Sequence, residues 1–274
     1  MHIVGIVIFC SALVCLQTIY SDGTIDTTFG TSGFATGATC LLTSNIRIQA
    51  DGKIVVSYID EYNTSQIVRY LSTGSLDTGF NNAIRLIAPP GIVFDVLVQY
   101  NGQIVIGGQY VNSQTGTSYV QLARYNWNGS LDYNFGSAGF VTNSTVGYCT
   151  ALAQDTSGKI IVAGTDNAGN VLLQRYTTAG AIDATFSAAT VAGCARDVLI
   201  QQNGQIVIAG AHNADFILAR YNTNGTLDTT GFGSSGIVTG PTGIANRILQ
   251  QTNEYLIVGG YAVAVHGYPR FTGD

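Results

Sequence analysis

Few side chains in this sequence could do chemistry: its 274 residues include 11 Lys plus Arg, 16 Asp plus Glu, three His and five Cys. Acid–base or metal-assisted catalysis needs several such groups gathered asymmetrically at one place. Here the largest set is periodic instead. Asp26, Asp77, Asp132, Asp183 and Asp228 share one position of a recurring turn, Gly-x-(Leu or Ile)-Asp-x-x-Phe, whose last copy carries one inserted glycine. Arg69, Arg124, Arg175, Arg220 and Arg270 share another, each just before an aromatic residue. Ten of the 27 charged residues (11 basic, 16 acidic) are therefore fixed by a repeat. A turn aspartate accepts backbone N–H groups and a planar guanidinium can meet it with two donors, so a residue present in every copy reads as structural. The alternative is five equivalent metal or glycan sites.

The remaining candidates are scattered. His212 and His266 are the histidines beyond the N-terminal segment, and they stand in no metal-ligand spacing. Asp60 and Glu61 are neighbours, which point apart on a strand and so cannot form the paired carboxylates of a glycosidase. No Gly-x-Ser-x-Gly elbow is present. Cys40, Cys149 and Cys194 follow no CxxC pattern. Cys149 and Cys194 precede comparable strands and could approach each other, but buried free thiols are the simpler expectation. No cofactor is expected. With a net charge of −5, the chain offers no basic stripe to displace counterions from nucleic acid.

The elements that position these residues follow from the repeat. The glycines opening the turn lie 51, 55, 51 and 45 residues apart, at Gly23, Gly74, Gly129, Gly180 and Gly225. A second landmark is a tight turn before an apolar run: Asp51-Gly52-Lys53, Asn101-Gly102-Gln103, Ser157-Gly158-Lys159, Asn203-Gly204-Gln205 and the degenerate Asn253-Glu254-Tyr255. Asn-Gly and Asp-Gly between apolar strands signal a hairpin, here expected as a type I′ turn. Alternation upstream (Ile46 and Ile48, Val96 and Val98) sets one face inward. A short strand after each Phe, as in Phe140-Val141-Thr142, opens the module, which gives four strands per repeat and no helical periodicity. A unit of about fifty residues cannot bury its own face, and four-stranded repeats usually close radially. The expected fold is all-β, a five-bladed β-propeller.

The combination of Asp/Ser-Gly-Lys-Ile, Ala-Arg-Tyr and Gly-Ser-Leu-Asp-x-x-Phe-Gly, followed with single substitutions along 158–186 and 204–232, resembles the delta-60 repeat family. That resemblance implies a propeller-like, bacterial and often secreted protein. It brings no catalytic residues, since those repeats are of unknown function. The second module departs from the pattern by lacking Gly-x-x-Gly after Phe80, and the fifth by Glu254 in place of glycine.

Residues 3–16 form a 14-residue uncharged apolar run, short for a membrane span and suited to a secretory signal. The expected organisation is a signal at 1–21 and one propeller at 22–274, with modules 22–73, 74–128, 129–179, 180–224 and 225–274. The alternative for the first segment is a buried strand, because Leu16–Ile25 can be laid over Leu218–Leu227. In such a module the repeated turns share one end, and the connections that differ in every copy share the other. The latter carry Asp60, Glu61 and Tyr62, Pro89 and Pro90, the stretch from Tyr110 to Tyr119, Asp166 and Asn167, and His212 to Asp215. Loops held on a rigid scaffold are the usual place for recognition. The expected function is therefore a secreted, periplasmic or cell-surface binding module, monomeric, for a protein or glycan, with no nucleic acid and no membrane span. A propeller hydrolase with a channel site and a structural surface repeat are the alternatives.

Overall fold

A computed structural model describes residues 2–5, 15–20, 22–37, 40–80 and 91–262, and among them every regular element is a strand. β1 (His2–Gly5), β2 (Cys15–Tyr20) and β3 (Phe34–Thr36) form the first sheet. β4 (Leu42–Ile48), β5 (Ile54–Ile59) and β6 (Ser65–Tyr70) form the second. The third contains β7 (Gly91–Val98), β8 (Ile104–Val111), β9 (Ser118–Tyr125) and β10 (Phe140–Val146). The fourth contains β11 (Tyr148–Gln154), β12 (Ile160–Thr165) and β13 (Val171–Tyr176). In the fifth, β14 (Cys194–Ile200), β15 (Ile206–His212) and β16 (Asp215–Tyr221) lead into β17 (Ile237–Gln250), whose second half pairs with β18 (Leu256–Ala262). All pairings are antiparallel between chain neighbours.

Period-two alternation on the second strand of each sheet explains how the sheets stack. Ile104 and Ile106 turn back toward β5 and β6, joining Val55, Ile67 and Phe80 in one buried cluster. Val105, between them, faces forward onto Leu152, Ile160 and Val162. The same division recurs at Ile206 and Ile208 against Val207. The first strands β4, β7, β11 and β14 and the second half of β17 pack in chain order, each on the next. They are the innermost strands.

Two details differ from the sequence reading. The short strands after Phe29, Phe135 and Phe232 do not open their own sheets: β3 pairs with β2, β10 with β9, and the first half of β17 with β16, so each closes the sheet before it. The chain then passes directly into the next innermost strand, with only Gly147 between β10 and β11. The hairpin turns are also not type I′. Gly102 donates to Gln99 O and Gln99 N to Gln103 O, with Gly102 at φ 83° and Asn101 not left-handed, which is a type I turn followed by a left-handed glycine. Residues 71–75 and 126–130 use the same device. Cys15–Tyr20 forms a strand on β3 with Leu16 buried, the arrangement of the third strand in the other sheets. Arg270, Phe271 and His266, and Pro89 and Pro90, lie outside the described residues.

The small residues ending each apolar run answer to a bulge in the innermost strand. A Cβ on Gly108, Gly164 or Gly210 would lie 1.8 Å from the carbonyl oxygen of Ile92, Tyr148 or Cys194 respectively. The bulge that presses this carbonyl inward sits at Val93/Asp95, Cys149/Ala151 and Ala195/Asp197. Cys149 and Cys194 are free thiols, with Cys149 buried, and Cys40 is half-buried.

Candidate functional site

At the end of the strands that carries both repeated turns, each aspartate locks the two turns together. Asp132 Oδ1 accepts the N–H of Asn134 at 3.1 Å, while Oδ2 accepts Arg124 Nε at 2.7 Å and Gln103 Nε2 at 2.8 Å. Asp77, Asp183 and Asp228 repeat the pattern with Arg69, Arg175 and Arg220. Lys159 and Gln205 supply the extra donor at Asp183 and Asp228, at 2.8 and 2.9 Å. The guanidinium thus meets one carboxylate oxygen and leaves the other to cap the turn, rather than forming the two-oxygen fork. Each arginine also stands over the Phe of its turn, 4.3 to 4.8 Å from the ring centre. Three of them reach into the next repeat, donating to the carbonyls of Trp127, Thr178 and Thr223. Burial pushes Asp132 up, but the Asn134 N–H and the Arg124 guanidinium outweigh it and hold the carboxyl below its usual range. At Asp183 the Lys159 ammonium leads the same downward shift. All these donors and acceptors are used within the lock, so these residues hold the scaffold. Asp26 keeps the position, bonded to Tyr20 and Thr28, but Thr18 stands where the other sheets have arginine.

Two acids on the innermost strands escaped the sequence reading. Asp95 is fully buried on β7: Oδ1 accepts Val96 N at 2.8 Å, Arg47 Nη2 at 3.0 Å and the Asn45 amide, and Oδ2 accepts Leu152 N at 2.7 Å. Asp197, at the same bulge position on β14, does the same, accepting Val198 N and Ile248 N, both at 2.9 Å, with Arg247 3.7 Å away. Each carboxylate joins its own strand to the innermost strand of the following sheet. Burial raises Asp95 to about 6, against the pull of Arg47, the two backbone donors and Arg247. Their signal in the sequence was a charge inside an apolar strand at the register of the bulge, with Asn45 at the same place. With both oxygens of each acid committed to backbone donors, this pair is built to hold strands rather than to move protons.

At the opposite end the connections vary. Asp60 and Asp166 are themselves turn caps, accepting from Tyr62 and Thr64 and from Ala168 and Asn170. Glu61, Tyr62 and Asn167 are exposed beside them, Tyr62 at 77%. Tyr110 and Tyr119 face each other across β8 and β9, rings 6.4 Å apart and near parallel. His212 and Asp215 close a two-residue turn whose Asn213 and Ala214 both have positive φ, and Asp215 accepts from Thr242 at 2.8 Å. The structure brings one of these residues into a cleft. His212 lines an open cavity of about 490 Å³ with Thr165, Cys194, Asn213, Ile244 and Tyr261, where the fourth and fifth sheets and β18 meet. Asp60, Tyr62, Tyr110 and Tyr119 do not line it. Among the described residues no three His, Cys, Asp or Glu are grouped to hold a metal ion, and no helix is long and apolar enough to cross a membrane.

Comparison with known proteins agrees with this geometry. A search of curated proteins found no match. Among solved structures the chain is similar to one described as "Structure of Dos1 propeller", with 14% identity and a TM-score of 0.56, covering 90% of this chain and 60% of that one. The chain thus spans about 60% of that relative's length. It is also similar to a protein of unknown function from Dyadobacter fermentans DSM 18053, at 13% identity and TM-score 0.51, covering 79% of this chain and 74% of that one. At these identities the likeness concerns the fold alone. Residues 49–80, 99–135, 156–186 and 201–230 match the model of the family described as "Domain of unknown function (DUF5122) beta-propeller". The matched segments run from the hairpin turn to the Asp-x-x-Phe turn of four repeats, so the chain is an all-β protein of β-propeller fold whose repeats are similar to that family.

Proposed function

We propose that this protein is a secreted or cell-surface binding module, a monomeric five-bladed β-propeller that engages a protein or glycan through its irregular end. The observation that carries this reading is the division between the two ends: one carries four like Arg–Asp–Phe locks, at Asp77, Asp132, Asp183 and Asp228, the other unlike loops and the cleft at His212. A rigid scaffold with one variable end is how binding loops are commonly presented. The hydrolase reading has the weaker support, because the axial acids Asp95 and Asp197 are saturated by backbone N–H groups.

Five blades and removal of 1–21 belong together in this reading. The second half of β17 and β18 take the first and second places of a sheet, and β3 the fourth. The sequence pattern gives Arg270-Phe271 the landmark of a third strand, and Asp26 is the lock position whose local arginine is replaced by Thr18. Pairing Arg270 with Asp26 would close the ring once β2 had left with the leader, and it matches the delta-60 resemblance. The purified exported protein, displayed on glycan and extracellular-protein arrays, tests the function. Binding that falls when Tyr62, Tyr110 and Tyr261 are replaced by Ala supports it; binding abolished only by changes in the 101–103 or 203–205 turns contradicts it.

A further inference from the structure

We propose that the cleft lined by Thr165, Cys194, His212, Asn213, Ile244 and Tyr261 is a binding site for a neutral saccharide of one or two rings. This deepens the reading of the irregular end as the binding end and rests on it. Four observations converge. First, a volume of about 490 Å³ falls within the ordinary range of small-ligand sites and suits one or two pyranose rings. Second, none of the lining residues is Asp, Glu, Lys or Arg, although the acids Asp166 and Asp215 stand beside it in sequence. Asp166 is held by Ala168 and Asn170, and Asp215 by Thr242, and neither lines the cleft. A charged ligand would be desolvated there without an opposite partner, which is costly.

Third, the polar groups are of the mixed donor–acceptor kind that hydroxyls satisfy. The His212 ring and the Asn213 amide lie 3.0 Å apart at the rim, both exposed. The Thr165 hydroxyl is buried, the residue being 8% exposed, and has no hydrogen-bond partner among the described residues. A buried polar group left unpaired is unfavourable, and a ligand hydroxyl would relieve it. Fourth, Tyr261 is 55% exposed at the wall, an aromatic surface on which the CH face of a sugar can rest while its phenol end stays wet. The floor is set by the chain itself. Gly193 and Gly243, at φ 113° and 150°, mark the crossings into β14 and the second half of β17, and a Cβ at either would lie 2.4 or 2.0 Å from a carbonyl oxygen. Glycine there keeps the cleft open and its geometry fixed.

The test is calorimetric or ligand-observed NMR titration of the full chain with cellobiose, maltose and N,N′-diacetylchitobiose, with digalacturonate as the acidic control. The expected result is saturable binding of at least one neutral disaccharide, weakened tenfold or more by Tyr261→Ala and several-fold by Thr165→Val. Tyr133→Ala, 72% exposed in a repeated turn at the opposite end, should leave it unchanged. Tyr261 is exposed and valine matches threonine in shape, so both variants should keep the parent circular dichroism. Absence of neutral-saccharide binding, preference for digalacturonate, or affinity unmoved by both cleft variants overturns the proposal. If saccharides fail while an array-selected protein is lost on Tyr62→Ala or Tyr110→Ala, the saccharide site is refuted and the wider binding reading stands. If no irregular-end variant affects any ligand, both fall.

Discussion

Replacing Asp132 by Asn tests whether the repeated lock holds the blades. The Arg124 and Asp132 side chains are 9% and 7% exposed, and the change removes the charge that balances a guanidinium packed over Phe135. Removing one partner of a buried ion pair leaves the other charge uncompensated, at a cost of about 3–5 kcal/mol. Asparagine keeps one acceptor oxygen, so the lower end, about 3 kcal/mol, is expected. With a urea m-value of about 3 kcal/mol/M, suited to a chain of this size, the midpoint should fall by about 1 M. The control is Asp155→Asn, which caps a hairpin turn through Ser157 and Lys159 without an arginine. Its cost should be about 1 kcal/mol or less. Urea titrations followed by circular dichroism at pH 7 give both numbers. Equal midpoint shifts for the two variants would refute the reasoning, because the arginine would then contribute nothing. Replacing both partners together, Arg124→Met with Asp132→Leu, should cost less than Asp132→Asn alone.

Other outcomes follow from the same geometry. The locked aspartates have depressed carboxyls, so their unfolded forms bind protons first and their stabilisation, complete above the ordinary carboxylate range, is lost as pH falls below about 4. Asp95 acts with the opposite sign: raised to about 6, it binds its proton more readily when folded, so between pH 6 and 4 stability should rise as pH falls, a rise that Asp95→Asn removes. Thermal melts at half-unit pH steps would show both, and an unchanged profile for Asp95→Asn would count against its assignment. Gly164→Ala should destabilise by about 2 kcal/mol or more, since its Cβ would meet the Tyr148 carbonyl; a neutral melt would disprove the bulge contact. N-terminal sequencing of exported protein should read from Asp22, and recovery of Met1 would sink the leader proposal.

How much of this could be read from the chain depends on whether a feature was repeated or paired. The locks were legible because Asp132 and Arg124 recur with Phe135 in fixed register, and the upstream alternation marked Val96 and Val98 as one packed face, although Ile48 at the matching place on β4 is exposed. The turn type was not legible: Asn101-Gly102 fits a type I′ turn or a type I turn with a left-handed glycine, and the choice is a one-residue register set by the pairing of Gln99 with Gln103. The partner of the short strand after Phe135 was equally hidden, because tertiary pairing with β9 decides it. Asp95 and Asp197 went unseen because they break the repeat: the equivalent position is Asn45 on β4 and Ala151 on β11. The cleft draws on five strands and two turns, and of the variable-loop candidates only His212 with its turn neighbours Asn213 and Ala214 reaches it.

The most direct test of the central claim, a repeated end that holds and an irregular end that binds, is hydrogen–deuterium exchange on the full chain with and without the array-selected ligand. Protection should gather at residues 60–64, 110–119, 166–170, 212–215 and 243–244. Protection confined to the turns at 51–53, 101–103, 157–159 and 203–205 would contradict it.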